Sequence, residues 1–373
     1  MSKTLTQLKN WQEIKFKDFV KLQRGFDLPK QNRNDGEYPV IASTSVTGYH
    51  DEYKAEPPCV TTGRSGALGE VLYIKYKCWP LNTVLWVKDF KGNNPYFVYS
   101  KLKTLHLEQY NSGAGVPTLN RNHLDQIVVD VPSLKDQKQI ADVLSTYDDL
   151  IENNTRRIQI LERMAQAIYT EWFVNSPKFK SQKVKLSEVV KPQYGYTESA
   201  SDDPIGPKYL RGTDINKQNF IDWSAVPYCK ISNEDKKKYQ LKRGDIVIIR
   251  MADPGKVGIV EQDIDGVFAS YLIRLEIIDK RISPYYLFYF LNSNEYQNYI
   301  QGASGGTTRK SASAGVVTGT NIAIPPREFL DRFEEKISLL RSELNNLLNQ
   351  NANLRQTRDL LLPKLVTGEI RVK

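Results

Sequence analysis

The chain has 373 residues, 40% of them hydrophobic, 10% aromatic and 25% charged, and its 52 Lys and Arg outnumber 43 Asp and Glu for a formal net charge of +9. This composition excludes a disordered chain, and without an apolar run of about 18 residues it excludes a membrane-spanning one. The length predicts two or more domains with cores of their own, and the charge favours a polyanion such as nucleic acid as partner without requiring one.

In chain order, Met1 to Asn10 lacks an apolar core of signal-peptide length, and Cys59, Cys78 and Cys229 lack metal or redox spacing, which predicts a cytoplasmic protein with reduced thiols. Ile14 to Lys21 then leads to Gly25. The same pattern (apolar, Lys, apolar, any, acid, apolar, Val, Lys) recurs from Val184 to Lys191 ahead of Gly195. Two further echoes follow. Val60 to Val71, with Arg64 entering a tight turn, resembles Ile248 to Val257, with Arg250 in the matching place. The small-residue loops Asn111 to Gly115 and Gly302 to Gly306 each lead to an apolar strand ending at Pro132 or Pro325. Two units of this size imply duplication rather than a solenoid of short repeats.

Each unit is followed by a long amphipathic segment. The first carries Ile140, Leu144, Tyr147, Ile151, Asn154, Ile158, Leu161, Ala165, Ile168 and Trp172, and the second Phe333, Ile337, Leu340, Leu344, Leu347, Asn351, Leu354, Arg358 and Leu361. Spacing of four and three residues over several heptads predicts coiled-coil helices, with Asn154 and Asn351 as polar seam residues that set register. About 38 residues at helical rise span roughly 57 Å. The first helix is expected to end near Asn175 and the second at Pro363, since proline removes a helix hydrogen bond. Two helices separated by a whole domain can return on each other antiparallel. The expected layout is a first domain over 1–134, a central helix over 135–176, a second domain over 177–326, and a last helix with its tail over 327–373.

Gln166 to Val174, following Gln139 to Ser145 and Asp148 to Asn154, resembles the central spacer of the specificity (S) subunits of type I restriction-modification systems. Leu361 to Val372 resembles the end of their second spacer. Tyr38-Pro39-Val40-Ile41, Gly48-Tyr49-His50-Asp51 and Trp79-Pro80-Leu81-Asn82-Thr83 are similar to one type of target recognition domain, and Gly244 to Val247 with Phe268 to Arg274 to the counterpart in the other head. The resemblance implies an α/β (α+β) fold with two target recognition domains in tandem, related by a pseudo-two-fold and joined by two long antiparallel helices. It also implies a non-catalytic subunit that binds a divided double-stranded DNA target. Two methyltransferase (M) subunits, which use S-adenosylmethionine, would dock on it, and restriction (R) subunits could join through them. No cofactor is expected in this chain itself.

The residues leave two other readings open, a self-contained DNA methyltransferase and a coiled-coil scaffold for proteins. Asn94-Pro95-Tyr96-Phe97 is the nearest approach to a methyltransferase element but lacks its second proline, and reads more simply as a turn that opens a helix. Asp136-Gln137-Lys138 has nuclease-like spacing, yet an acid at a helix start is accounted for by the helix dipole. His50, His106 and His123 are scattered, so neither a catalytic residue nor a metal site is expected.

For DNA, arginine is the commonest reader of guanine and Asn of adenine, while Lys and Arg supply phosphate contacts. Arg64 and Arg250 are the leading candidates, followed by Tyr49, His50, Asn120 and Arg121 in the first head and Arg309 and Lys310 in the second. Lys236-Lys237-Lys238 reads as a solvated helix face. Tyr169, Trp172 and Phe173 exceed what a two-helix seam buries and are candidates for the M-subunit dock, against packing on the adjoining head.

Overall fold

The computed structural model describes residues 11–112, 117–175, 182–305 and 310–372. From the N-terminus the elements are β1 (Gln12–Lys15), α1 (Phe16–Phe19), β2 (Lys21–Arg24), β3 (Tyr38–Ile41), β4 (Val46–His50), β5 (Cys59–Gly63), β6 (Val71–Ile74), β7 (Trp79–Pro80), β8 (Val84–Asp89), α2 (Pro95–Lys103), α3 (Arg121–Leu124), β9 (Val128–Val131) and α4 (Leu134–Tyr169). The second half follows with β10 (Gln182–Lys185), α5 (Leu186–Val189), β11 (Val190–Tyr194), β12 (Lys208–Leu210), α6 (Asn233–Tyr239), β13 (Ile246–Ile249), β14 (Val257–Ile259), β15 (Gly266–Phe268), β16 (Leu272–Ile277), α7 (Pro284–Leu291), α8 (Asn294–Ala303), α9 (Ala314–Val317), β17 (Asn321–Ile324) and α10 (Arg327–Val366).

Contacts divide the chain into two compact units, Met1–Ile151 with Asn353–Lys373, and Glu152–Ala352. These units divide each long helix near its middle, whereas the sequence-based division keeps the helices as segments of their own, because each long helix gives part of its length to the core of each unit. In unit 1, Ile140, Ala141 and Leu144 of α4 and Leu362, Leu365 and Val366 of α10 share one core with Phe16, Phe19, Leu85 and Phe97. In unit 2, Ala165 and Tyr169 of α4 and Leu330, Phe333 and Ile337 of α10 pack on Tyr286, Leu287 and Tyr289 of α7.

Each unit contains a four-stranded antiparallel sheet, ordered β2-β8-β5-β6 in unit 1 and β11-β16-β13-β14 in unit 2. Each adds an antiparallel pair that closes the domain, β1 with β9 and β10 with β17, and each pairs two strands in parallel, β3 with β7, where β4 adds an antiparallel third strand, and β12 with β15. The duplication read from sequence is therefore a duplication of topology. All four residues of β13 are buried, Ile246 and Ile248 against one core and Val247 and Ile249 against another. A strand covered on both faces loses the apolar-polar alternation of a half-exposed one.

Gly25 and Gly195 hold equivalent places for a steric reason. A Cβ on Gly25 would lie 2.1 Å from the Leu81 carbonyl oxygen, and one on Gly195 would lie 2.3 Å from that of Ala269. Helices α2 and α7 start alike, with Pro at the first turn and a side-chain cap, Asn94 accepting from the N–H groups of Tyr96 and Phe97 and Ser283 from that of Tyr286.

Within each unit the two long helices run antiparallel. In unit 2, Arg157 pairs with Glu343 at 2.7 Å, Ile158 packs on Leu344 and Leu347, and Glu162 meets Arg341. The seam asparagines are buried and bond across the helices, Asn154 Nδ2 to Gln350 Oε1 at 3.4 Å and Asn351 Nδ2 to Thr155 Oγ1 at 3.3 Å. In unit 1, Arg358 reaches Asp148, which also accepts from the Tyr96 hydroxyl. The expectation that the last helix ends at Pro363 is corrected, since α10 continues to Val366. Proline at 363 forfeits the hydrogen bond to the Asp359 carbonyl, and the burial of Leu362, Leu365 and Val366 offsets that loss and carries the helix one turn further. Lys101 Nζ also donates to the Val366 carbonyl at 3.0 Å, satisfying one acceptor at the helix end.

Arg341 is 0% exposed, and its guanidinium is fully enclosed by partners of unit 2. Nε donates to Glu261 Oε1 at 2.8 Å, Nη1 to Glu162, and both Nη groups to the Asn219 carbonyl at 3.1 Å, while the group lies 5.3 Å from the Phe288 ring centroid. Removing one member of a buried pair strands the other charge. Arg341→Met is expected to destabilise unit 2 by about 3 to 5 kcal/mol, measured by chemical denaturation of the full chain; a loss below about 1 kcal/mol would place these charges in contact with water.

Candidate nucleic-acid interface

The two leading arginines occupy one backbone site in the two units. The Arg64 N–H donates to the Thr83 carbonyl at 2.9 Å and that of Arg250 to the Tyr271 carbonyl at 3.0 Å, in each case to the residue just before the returning strand, β8 or β16. Each arginine carbonyl then accepts an N–H at 2.8 Å from an incoming loop, that of Leu119 in unit 1 and of Ala312 in unit 2. The side chains differ in environment. Arg64 is half-buried and donates from Nη1 to the Asn82 carbonyl at 3.2 Å, whereas the Arg250 guanidinium lies 4.9 Å over the ring of Tyr194.

The incoming loops bring other candidates to the arginines. Leu119 precedes Asn120 and the exposed Arg121, so these lie beside Arg64 in unit 1. Asn120 is committed in part, since its side chain accepts the Asn122 N–H at 3.0 Å as the cap of α3. In unit 2 the Ala252 N–H donates to the Lys310 carbonyl at 3.0 Å, which joins the Arg250 turn to the exposed Lys310, whose Nζ donates to Gln301 Oε1 at 3.0 Å. Ala252 carries a φ of 70°, a left-handed conformation that a non-glycine residue adopts only where its surroundings impose it. Arg309 lies outside the described residues.

Two candidates from β4 do not join this group. Tyr49 is 58% exposed and lines a groove of 460 Å³ with Tyr38, Tyr76 and Lys77. His50 is buried, and its proposed base contact is corrected. Its Nδ1 accepts the Asn34 N–H at 3.2 Å and its ring meets Trp79 edge-on at 5.1 Å, so burial withdraws it from the surface and these contacts give it a structural role. The premise for the docking aromatics is also corrected. Tyr169 is 3% exposed and Trp172 and Phe173 are half-buried against the same unit 2 core, all within 6.2 Å of the Phe333 ring centroid. The head supplies the apolar cover that a two-helix seam lacks.

In unit 2 the Arg250 turn borders a cleft of 420 Å³ whose lining includes Glu198, Asn216, Met251, Asp253, Ser270 and Tyr271. Arg211 also faces it, but the side-chain hydrogen bonds it donates to Asp214 hold this guanidinium above the ordinary arginine range and keep it in a local pair. Burial likewise raises the phenol of Tyr209 in the cleft wall. In unit 1 the matching edge holds a polar chain absent from the sequence-based candidates: Arg24 lies 3.5 Å from Asp27, and Asn82 Nδ2 donates to the same carboxylate. The available signal was position, since Arg24 immediately precedes Gly25 as Tyr194 precedes Gly195.

The residues considered for catalysis have other employment. Asn94 caps α2, and Asp136 accepts from the Ser133 hydroxyl at 2.9 Å in the first turn of α4. Among the described residues there is no group of three or more His, Cys, Asp and Glu arranged to hold a metal ion, and no helix is long and apolar enough to cross a membrane. Lys236 of α6 is paired with Asp265 at 2.7 Å.

Two copies of one fold, each with an arginine at one backbone site, define a tandem two-domain protein. The chain belongs to the family described as the type I restriction modification DNA specificity domain, which matches residues 8–163 and 180–350. It is 26% identical over 306 residues to the MjaIX specificity subunit of Methanocaldococcus jannaschii, covering 74% of this chain and 68% of that protein. It is 23% identical to the EcoBI specificity subunit of Escherichia coli over an alignment that covers 97% of this chain and 86% of that one. In fold it is similar to the crystal structure of a type I restriction-modification S subunit from M. genitalium, with a TM-score of 0.61, 16% identity and 98% of each chain covered. Named relatives are specificity subunits, the non-catalytic recognition components of the type I system.

The burial of His50 separates structure from recognition. His50→Ala is expected to lower stability by about 1 to 3 kcal/mol through the orphaned Asn34 N–H while leaving base preferences unchanged, as thermal unfolding and DNA binding by the same preparation will report.

Proposed function

We propose that this chain is the specificity subunit of a type I restriction-modification enzyme that binds a bipartite double-stranded DNA target, one half-site per unit. It carries no cofactor of its own. Two M subunits dock on it and bring S-adenosylmethionine to the adenines of that target, R subunits join through them, and the assembly works on DNA in the cytoplasm. The observation that carries this reading is the repeated arginine: Arg64 and Arg250 share a backbone site in two copies of one fold, in a chain of net charge +9.

The division of labour follows from the chemistry of the groups. Exposed Lys and Arg supply affinity for phosphate, which weakens as salt rises, while a guanidinium fork aimed at a base edge supplies choice. Because α4 and α10 each contribute to both units, their length is the natural determinant of the gap between half-sites. Buried pairs such as Asn154 with Gln350 oppose slippage of one helix along the other, since a shifted register would strand them. Tyr169 is buried in unit 2, so an M-subunit dock at these residues is left only the exposed parts of Trp172 and Phe173.

Arg64→Ala and Arg250→Ala are each expected to cost about 1 to 3 kcal/mol of discrimination in one half-site and none in the other, measured by binding to a panel of half-site variants. Equal binding across the panel would remove both from the reading surface. Inserting a heptad into each long helix, after Ile151 and before Asn353, is expected to change the preferred gap while both half-sites keep their bases. A methylation footprint with the original gap would reject the role of the helices.

A further inference from the structure

The duplication aligns more than the two arginines. The N–H of Gly25 donates to the Val84 carbonyl at 3.0 Å and that of Gly195 to the Leu272 carbonyl at 3.2 Å. The next residues, Phe26 and Tyr196, donate to Pro80 and Phe268 at 2.8 Å and accept from the N–H groups of Asn82 and Ser270 at 3.0 and 2.8 Å. With the backbone matched bond for bond, Arg24 of unit 1 is the equivalent of Tyr194 of unit 2.

Sheet register places this position relative to the arginine. Arg24 is opposite Leu85, itself opposite Thr62, and Tyr194 is opposite Ile273, itself opposite Ile248. Arg64 and Arg250 come two residues after Thr62 and Ile248 and so share a sheet face with them and with the residue across the sheet. In unit 2 the consequence is direct contact, since the Arg250 guanidinium stacks over the Tyr194 ring, whose hydroxyl accepts the Ala314 N–H at 3.0 Å. In unit 1 the same place holds a second guanidinium. Arg24 is 51% exposed, its ion pair is the 3.5 Å contact to Asp27, and Asp27 is steadied by the Asn82 amide beside the carbonyl that Arg64 uses.

We propose that the residue before this glycine is the second specificity position of each unit: Arg24 reads a guanine edge beside Arg64, and Tyr194 is a positioning residue that holds the Arg250 fork. The proposal rests on the reading of Arg64 and Arg250 as DNA contacts. Two forks on one face offer donors to an edge rich in acceptors, and the guanine edge in the major groove presents N7 and O6. Asp27 orients Arg24 without neutralising it, because the pair is exposed and long. In unit 2 one fork stands on an aromatic ring, which fixes its plane and adds no second donor set. The half-site of unit 1 therefore carries one more guanine contact than that of unit 2.

The test is selection of DNA from a randomised duplex pool by the full chain, followed by competition binding of single-base variants. Arg24→Ala and Arg24→Lys are both expected to lose about 5- to 150-fold discrimination at one base pair of one half-site, with the other half-site unchanged. Lysine keeps the charge but not the fork. Tyr194→Leu is expected to weaken discrimination at the base pair that Arg250→Ala also loses, and Tyr194→Phe to retain it. Both positions are exposed, and thermal unfolding of each variant checks that the fold persists. Unchanged base preferences in Arg24→Lys, or in Tyr194→Leu, overturn the proposal while Arg64→Ala and Arg250→Ala still relax theirs. If those two alanine variants also keep every preference, the reading of the arginines itself falls.

Discussion

Arg341 is a full positive charge with no access to water, and the arrangement of unit 2 can be read as the set of conditions that make this tolerable. Glu162 comes from α4, Glu261 from the loop after β14, the Asn219 carbonyl from the segment between β12 and α6, and the Phe288 ring from α7. Four separate stretches must be in place before the charge is satisfied, so the packing of the long helices and the folding of the head are one event. Tyr285 and Tyr289 extend the network by hydrogen bonds to Glu261 and Glu162. Unit 1 has a lighter version, in which Arg358 of α10 meets Asp148 of α4 and the Tyr96 hydroxyl reaches the same acid from α2. Buried ionic groups cost desolvation and are weak sources of net stability, but a displaced partner is expensive. Here they penalise any register of the two helices except one.

Against that fixed frame the two units vary where side chains leave the backbone. The hydrogen bonds of Gly25 and Gly195, of Phe26 and Tyr196, and of Arg64 and Arg250 repeat with nearly equal lengths. Around them Arg24 is exchanged for Tyr194, Asp27 for Thr197 and Asn82 for Ser270. A constant scaffold with altered side chains at one edge is a physical route from one recognition domain to two of different preference, because readout depends on a few groups held at a set distance from the base edges.

Much of this was legible in the chain. The glycines are visible because close carbonyls leave no room for a Cβ, and the helices because an apolar repeat near 3.5 residues survives any sequence around it. Asn94 is legible as a cap because Asn before Pro at a helix start is a local arrangement. What could not be read depends on partners distant in sequence. Tyr169 looks surplus to a helix pair, and only Tyr286, Tyr289 and Phe333 turn its face into core. His50 looks like an exposed loop polar group, and Trp79 with the Asn34 N–H make it structural. Nothing local in the sequence marks Arg341 as buried, and its partner Glu261 lies far from it along the chain. Local patterns fix what an element is, while long-range pairing decides which of its faces water reaches.

The central claim is that a single chain reads two separated DNA segments through two copies of one fold. Selection of duplexes from a randomised pool by the purified full-length chain, followed by sequencing of the bound fraction, measures it directly. The prediction is two short specified segments separated by a constant run of unspecified bases. Enrichment of one uninterrupted motif, or of two segments with freely varying separation, would contradict it.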